Sequence, residues 1–237
     1  MQEARNSTSQ SWLNLAVSKT SHPTGPGTND WFFYRLEMTL TVNGTSYWGD
    51  YPGLGSDGQA VYVTFNMFDF PITTNSALLD SQIIILNKAD LNRGVLNFRR
   101  VFAPDGISGT LVPASVIGGN NPGNKAYFVQ VSLPTFIAVW ALTDPLGSPV
   151  LLPPFQLPVP PNGGLPGGGA PQAGTTNLLD TLGEEFKAQG NAFWLDGAIW
   201  FSYTGGVPLG SEARVYYYEV NTHKDRKSTR LNSSHRT

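Results

Sequence analysis

Asp57–Phe68 reads DGQAVYVTFNMF, and Ser81–Leu91 reads SQIIILNKADL. The first run opens on a turn dipeptide and passes through Ala60 into β-branched and aromatic residues, the composition of a strand. The second is apolar until it ends in polar turn residues. The same two-part unit returns twice. Asn124–Leu133, NKAYFVQVSL, leads into Phe136–Pro145, FIAVWALTDP, and Asp196–Tyr203, DGAIWFSY, leads into Ala213–Thr222, ARVYYYEVNT. The first runs begin at Ala60, Ala126 and Ala198, spacings of 66 and 72 residues. A third strand follows in the first two units, at Leu96–Pro104 and Pro154–Pro160.

Antiparallel strands repeated without intervening helices predict an all-β chain of blade-like units, part of a β-propeller. The units fall near residues 31–104, 110–160 and 177–224 of a single repeat-built domain, 1–224. Their spacing exceeds the roughly 40–50 residues of common propeller repeats, which longer loops would take up. A β-sandwich is the alternative built from the same short strands and turns. A lone sheet cannot bury both faces, and propellers close with about 4–8 blades. Three units and an N-terminal strand region therefore predict an incomplete ring whose neighbouring blades lie outside this chain.

Local signals agree with strands. Leu36, Met38, Leu40 and Val42 alternate with Arg35, Glu37, Thr39 and Thr41, a period-2 pattern with one wet face. Asn43-Gly44 and Asp196-Gly197 each follow an apolar run and accept the positive φ of a type I′ hairpin turn. WGDYPGLGSDG, Trp48–Gly58, reads as a turn-rich loop entering a strand, and Pro160–Thr176 as a long inter-blade connection. Leu178–Lys187 is the one stretch with helical character.

Charged residues make up 14% of the chain, against about 25% in ordinary globular domains, while aromatics reach 12% beside 26 glycines and 18 prolines. That balance favours strands joined by turns over helices. There is no cysteine, so disulfides and thiolate metal sites are excluded. His22, His223 and His235 are too few and too scattered for a histidine metal site, and no metal or cofactor is expected. No apolar run approaches the roughly 20 residues of a membrane-spanning helix.

Asp225–His235, DRKSTRLNSSH, resembles a sequencing adapter translated in one frame. Residues 225–237 are accordingly read as an artefactual or disordered tail, with the natural frame expected to continue past Lys224. Without them Lys plus Arg falls from 15 to 11 and Asp plus Glu from 17 to 16, moving the net charge from −2 to −5. A mildly acidic chain argues against nucleic acid as a partner, because phosphate binding needs clustered Lys and Arg.

WGDYPGLGSDGQAVYVTFNMFDF (Trp48–Phe70), SQIIILNKADL and ARVYYYEVNT resemble stretches of large bacterial secreted or surface proteins of unassigned function that are predicted to form β-propellers. The resemblance covers most of Trp31–Thr222 and implies a propeller fold in an extracellular or cell-surface setting. It implies no activity, since fold does not fix function.

Asp50, Tyr51 and Asp57 are ligand-binding candidates, because acidic and aromatic residues at a blade edge suit a sugar or Ca²⁺. Turn-amide capping by the two aspartates is the competing role. Asn66 and Asp69 are placed at a channel mouth or a strand end, and Arg100, beside Arg99, could meet a carboxylate or sulfate. Asp90, Asp144 and Asn221 recur at the ends of the second runs and read as turn caps. Asp180, Glu184 and Glu185 form an acidic cluster, but adjacency does not set the facing geometry that glycoside hydrolysis needs. Asn6-Ser7-Thr8 and Asn43-Gly44-Thr45 match glycosylation acceptors. No SxDxGxTW box, GxSxG or phosphate-cradling glycine loop is present. These observations point to a non-enzymatic module binding a glycan or protein through its loops. A propeller-type glycoside hydrolase or lyase is the alternative.

Overall fold

The computed structural model describes residues 1–6, 9–73, 76–103, 110–118, 123–132, 136–158, 170–171, 173–179, 188–206 and 213–222. Asp180, Glu184, Glu185, His223, most of the 160–176 connection, most of the 178–187 stretch and the 225–237 tail lie outside the described residues. Among the described residues strands dominate, with one short helix. The first sheet contains β1 (Gln2–Arg5), β2 (Ser11–Ser18) and β3 (Trp31–Glu37). The second is a meander of β4 (Leu40–Val42), β5 (Thr45–Ser56), β6 (Ala60–Asp69), β7 (Leu78–Asn87) and β8 (Phe98–Phe102), with α1 (Lys88–Leu91) between the last two. The third unit is β9 (Val112–Val116), β10 (Lys125–Ser132), β11 (Phe136–Thr143), β12 (Val150–Leu151) and β13 (Phe155–Pro158). After the short pair β14 (Ala170–Pro171) and β15 (Leu178–Leu179) come β16 (Ala188–Leu195), β17 (Ala198–Gly206) and β18 (Ala213–Asn221).

The sheets stack face to face, and strand alternation explains how. On β6, Val63, Phe65 and Met67 point to one side, where with Ile84 and Leu86 of β7 they meet Leu13, Leu15, Tyr34 and Leu36 of the first sheet. Ala60 and Tyr62 point to the other, where with Ile83 and Ile85 they meet Phe128, Trp140 and Leu142. Residues one position out of phase with that second set, Val129, Ile137 and Val139, pack on Phe201, Tyr203, Tyr216 and Tyr218. Tyr203 stacks on both Tyr216 and Tyr218, with ring centroids 5.2 and 5.7 Å away. Four units thus form successive layers, and the strands at the middle are apolar on both faces. This is why Ile83–Leu86 reads as a continuous apolar run.

Among the described residues, all strand pairings are antiparallel except one. β9 and β16 pair in parallel, Ala114 beside Ala192 and Val116 beside Trp194. This joins the third and fourth units into one sheet that curls around its own apolar cluster.

Both hairpin turns form where the sequence places them. Asn43 and Gly44 have φ of 50° and 82°, Asp196 and Gly197 of 48° and 87°. The alternating 35–42 stretch is split between β3 and β4, which belong to different sheets. Its alternation survives the corner because Leu36, Met38 and Leu40 all pack on the same cluster between those sheets.

Trp48–Gly58 is the main departure. It is not a loop: β5 runs through its glycines to Ser56 and pairs along β6. The glycines admit β9. A Cβ on Gly55 would lie 2.6 Å from Pro113 Cβ and 3.0 Å from its carbonyl oxygen, and one on Gly53 would lie 2.9 Å from Pro113 Cδ. Thr64 Oγ1 donates to the Leu111 carbonyl at 2.7 Å, and the Ser56 amide donates to Ser115 Oγ at 3.2 Å. The β9 partners advance in number as β5 advances, so β5 and β9 run in the same direction, as β9 and β16 do.

Gly55→Ala should lower stability by about 1–3 kcal/mol through overpacking at Pro113. Gly58→Ala, whose Cβ meets nothing within 4 Å, should be close to neutral. Paired urea unfolding curves check the contrast.

Candidate functional site

Between Asp50 and Gly53 the β5–β6 register shifts, so β5 carries a bulge holding Tyr51 and Pro52. Bulges re-aim side chains and cluster beside functional sites. Tyr51 sits at φ 54°, in the left-handed region that a bulky L-residue enters only under strain, and its side chain is exposed. Strain of this kind costs about 1–3 kcal/mol and persists only where surrounding structure imposes it. Here the Tyr51 amide donates to Asp50 Oδ1 at 2.8 Å, which helps hold the bulge.

The first sheet completes the site. Arg5, at the end of β1, donates through Nη1 to Glu3 Oε1 at 2.6 Å and to Asp50 Oδ1 at 3.3 Å. Its guanidinium lies 3.8 Å from the centroid of Trp48, which packs against Phe68 and donates from Nε1 to the Asp69 carbonyl. One cation therefore bridges two carboxyls from different sheets over an aromatic floor. Burial pushes the Glu3 carboxyl up to about 7, the nearby Asp50 carboxyl pushes the same way, and Arg5 opposes them. The Glu3 carboxyl thus changes protonation near neutral pH.

The other sequence candidates disperse. Asn66 is the cross-strand neighbour of Asp50, but its amide is spent inside, donating to Thr110 Oγ1 at 2.9 Å and accepting from Ser81 Oγ. Asp57 is buried at the opposite end of β5. Its Oδ1 accepts from the Gln59 and Ala60 amides and its Oδ2 from the Tyr62 hydroxyl at 2.6 Å, so it caps the β5–β6 turn. At about 3.3 Å per residue it lies roughly 20 Å along the strand from Asp50. Asp69 ends β6, accepting from the Ala77 amide. Asp144 caps a turn through the Ser148 amide and Asn124, and Asp90 pairs with Arg93 beside α1.

Arg99 and Arg100 act as clamps between layers. Arg100 donates to the Glu37 carbonyl on the first sheet, and Arg99 to the Leu146 carbonyl beside β11 on the other side. Adjacent residues on a strand point to opposite faces, so one dipeptide ties the second sheet to both neighbours.

Sequence reasoning finds Asp50 and Tyr51 and misses Glu3, Arg5 and Trp48. Arg5 and Glu3 alternate with Ala4 on a four-residue strand, too short a pattern to stand out, and 45 residues separate Arg5 from Asp50. Among the described residues, no group of three or more His, Cys, Asp or Glu is arranged to hold a metal ion. No described helix is long and apolar enough to cross a membrane. Comparison with protein-family models, curated proteins and solved structures finds no match.

The raised Glu3 carboxyl sets a pH dependence. The folded chain holds this proton more tightly than the unfolded one, whose carboxyl titrates near the ordinary value of 4.5. Stability from this group is therefore full below about pH 4.5 and is lost as pH rises through about 7. Glu3→Gln should flatten the fall in thermal midpoint between pH 5 and 7.5, and an unchanged slope would remove the assignment.

Proposed function

We propose that this chain is a sector of a β-propeller and acts as a non-enzymatic module that binds a glycan at the β5 bulge. Three features support the propeller reading over a sandwich. Each unit is a short meander, successive units stack face to face, and β5, β9 and β16 run in the same direction side by side. Together with the sequence resemblance, they favour a secreted or cell-surface protein.

The observation that carries the ligand reading is Tyr51, exposed in a strained backbone beside Asp50 and Arg5. A sugar needs an aromatic face for its C–H surface and fixed polar groups for its hydroxyls, and binding sites combine apolar rings with few placed polar atoms. Tyr51 offers the ring, and Asp50, Glu3 and Arg5 the polar atoms. Only about a third of the Arg5 and Asp50 side chains is exposed, which fixes them in place.

A propeller-type glycoside hydrolase or lyase is the second reading, favoured by Glu3. A carboxyl held at about 7 beside another carboxyl suits general acid or base work. Their bridging by one Arg5 nitrogen closes the pair on itself, which favours the binding module.

Tyr51 separates a binding role from a structural one. Tyr51→Gly should raise stability by about 1 kcal/mol by relieving the left-handed strain, yet abolish retention on a glycan array. Wild-type binding to no glycan, or undiminished binding by the variant, would sink the reading. Turnover of aryl glycosides or polyuronates by the wild type, lost in Glu3→Gln, would install the enzyme reading in its place.

A further inference from the structure

The second sheet carries another concave site, at the end away from the bulge. A cleft of about 270 Å³ lies between Ile85 and Asn87 at the end of β7, Asp90 of α1, Asn97 and Arg99 around the start of β8, and Leu146 after β11. Arg99 closes one wall by donating from Nη2 to the Leu146 carbonyl at 2.8 Å, so the cleft straddles the second and third units. Asn87 pairs with Ala60, whereas Asp50 pairs with Asn66, six residues further along β6. Roughly 20 Å of strand therefore separates the cleft from Tyr51.

The polar groups around this cleft are fixed by the fold and keep hydrogen-bonding capacity. Asn87 Oδ1 accepts from the Ala89 amide at 2.8 Å as the cap of α1, which leaves its Nδ2 to donate. Asn97 Nδ2 donates to Asp90 Oδ2 at 3.1 Å, which leaves its Oδ1 to accept. Arg99 has further N–H groups besides the one spent on Leu146. Hydrogen bonds from Asn97 and then Arg93 hold the Asp90 carboxyl below its usual range, so it stays an ionised acceptor. Charge is balanced, because Arg93 pairs with Asp90 and Arg99 lies near Asp144.

We propose that this cleft binds one neutral sugar ring, as a second carbohydrate subsite of the chain. Donors at Asn87 and Arg99 beside acceptors at Asn97 and Asp90 suit hydroxyls, which donate and accept at the same atom. Balanced charge gives a charged ligand no advantage, and Ile85 and Leu146 supply apolar wall for the ring's C–H groups. The volume falls below the roughly 300–1,000 Å³ of pockets for drug-sized ligands, which leaves room for one ring rather than a chain of them. A few hydrogen bonds of about 1 kcal/mol each give only about millimolar affinity, too weak for retention on an array.

This inference does not rest on the bulge, and one experiment tells the two apart. The isotope-labelled full chain is titrated by NMR with the methyl glycosides of glucose, galactose and mannose, and separately with methyl glucuronide. At least one neutral glycoside should shift the amides of Asn87–Arg99 and Leu146, with the glucuronide binding more weakly. Asn97→Ala and Arg99→Met should each weaken that binding about tenfold, the loss of one group bonded to the ligand. Unchanged amide spectra away from the cleft show that each variant is folded. No shift with any neutral glycoside, shifts confined to Trp48–Gly53, a glucuronide bound as tightly as the neutral sugars, or undiminished binding by either variant would overturn the proposal. Shifts at Trp48–Gly53 bear on the bulge alone.

Discussion

Everything in this fold depends on how closely β9 can lie against β5. A side chain at Gly53 or Gly55 would occupy the space taken by Pro113. With hydrogens there instead, β5 and β6 come near enough to the β9 segment for Ser56 and Thr64 to bond across. That approach fixes the distance and register between the second and third units, and hence the fit of Tyr62 against Phe128. β9 in turn pairs with β16, so the same contact positions the fourth unit. Packed interiors tolerate little displacement, so a gap opened at this seam would be felt in two clusters at once.

The seam adjoins the site. β5 sets Gly53 and Gly55 against Pro113. It bends at Asp50–Gly53, and the bend throws Tyr51 outward. Arg5 and Glu3 then reach Asp50 from the adjoining sheet. Scaffold and site share one strand, with Pro113 close against Gly53 and Gly55 and Tyr51 exposed two residues before Gly53.

Strand content, both type I′ turns and the repeated pairing of first and second runs were legible, because each is written in neighbouring residues. Asn43-Gly44 needs nothing beyond itself to specify its turn. Pro52 and the glycines of Trp48–Gly58 were misleading for a physical reason. Those residue types mark turns by their freedom in φ, but Gly53 and Gly55 are selected here for lacking a Cβ, and that need is visible only once Pro113 is in place. Likewise Asp50 could be singled out by type, whereas its partners Arg5 and Glu3 are brought to it only by the stacking of two sheets. Arg99-Arg100 looked like an anion site in sequence and is occupied by two carbonyls in the structure.

Burial of β6 and β7 on both faces has a further consequence. Each layer is stabilised chiefly by the layers it touches, so stability should vary along the stack. Amides of Val63–Met67 and Ile83–Leu86 have a sheet on either side, whereas those of β2 and β18 have a sheet on one. Hydrogen exchange would then report a gradient, with the second sheet opening last and the end layers first. Such a chain is a row of coupled plates, held most firmly at the plates with two neighbours.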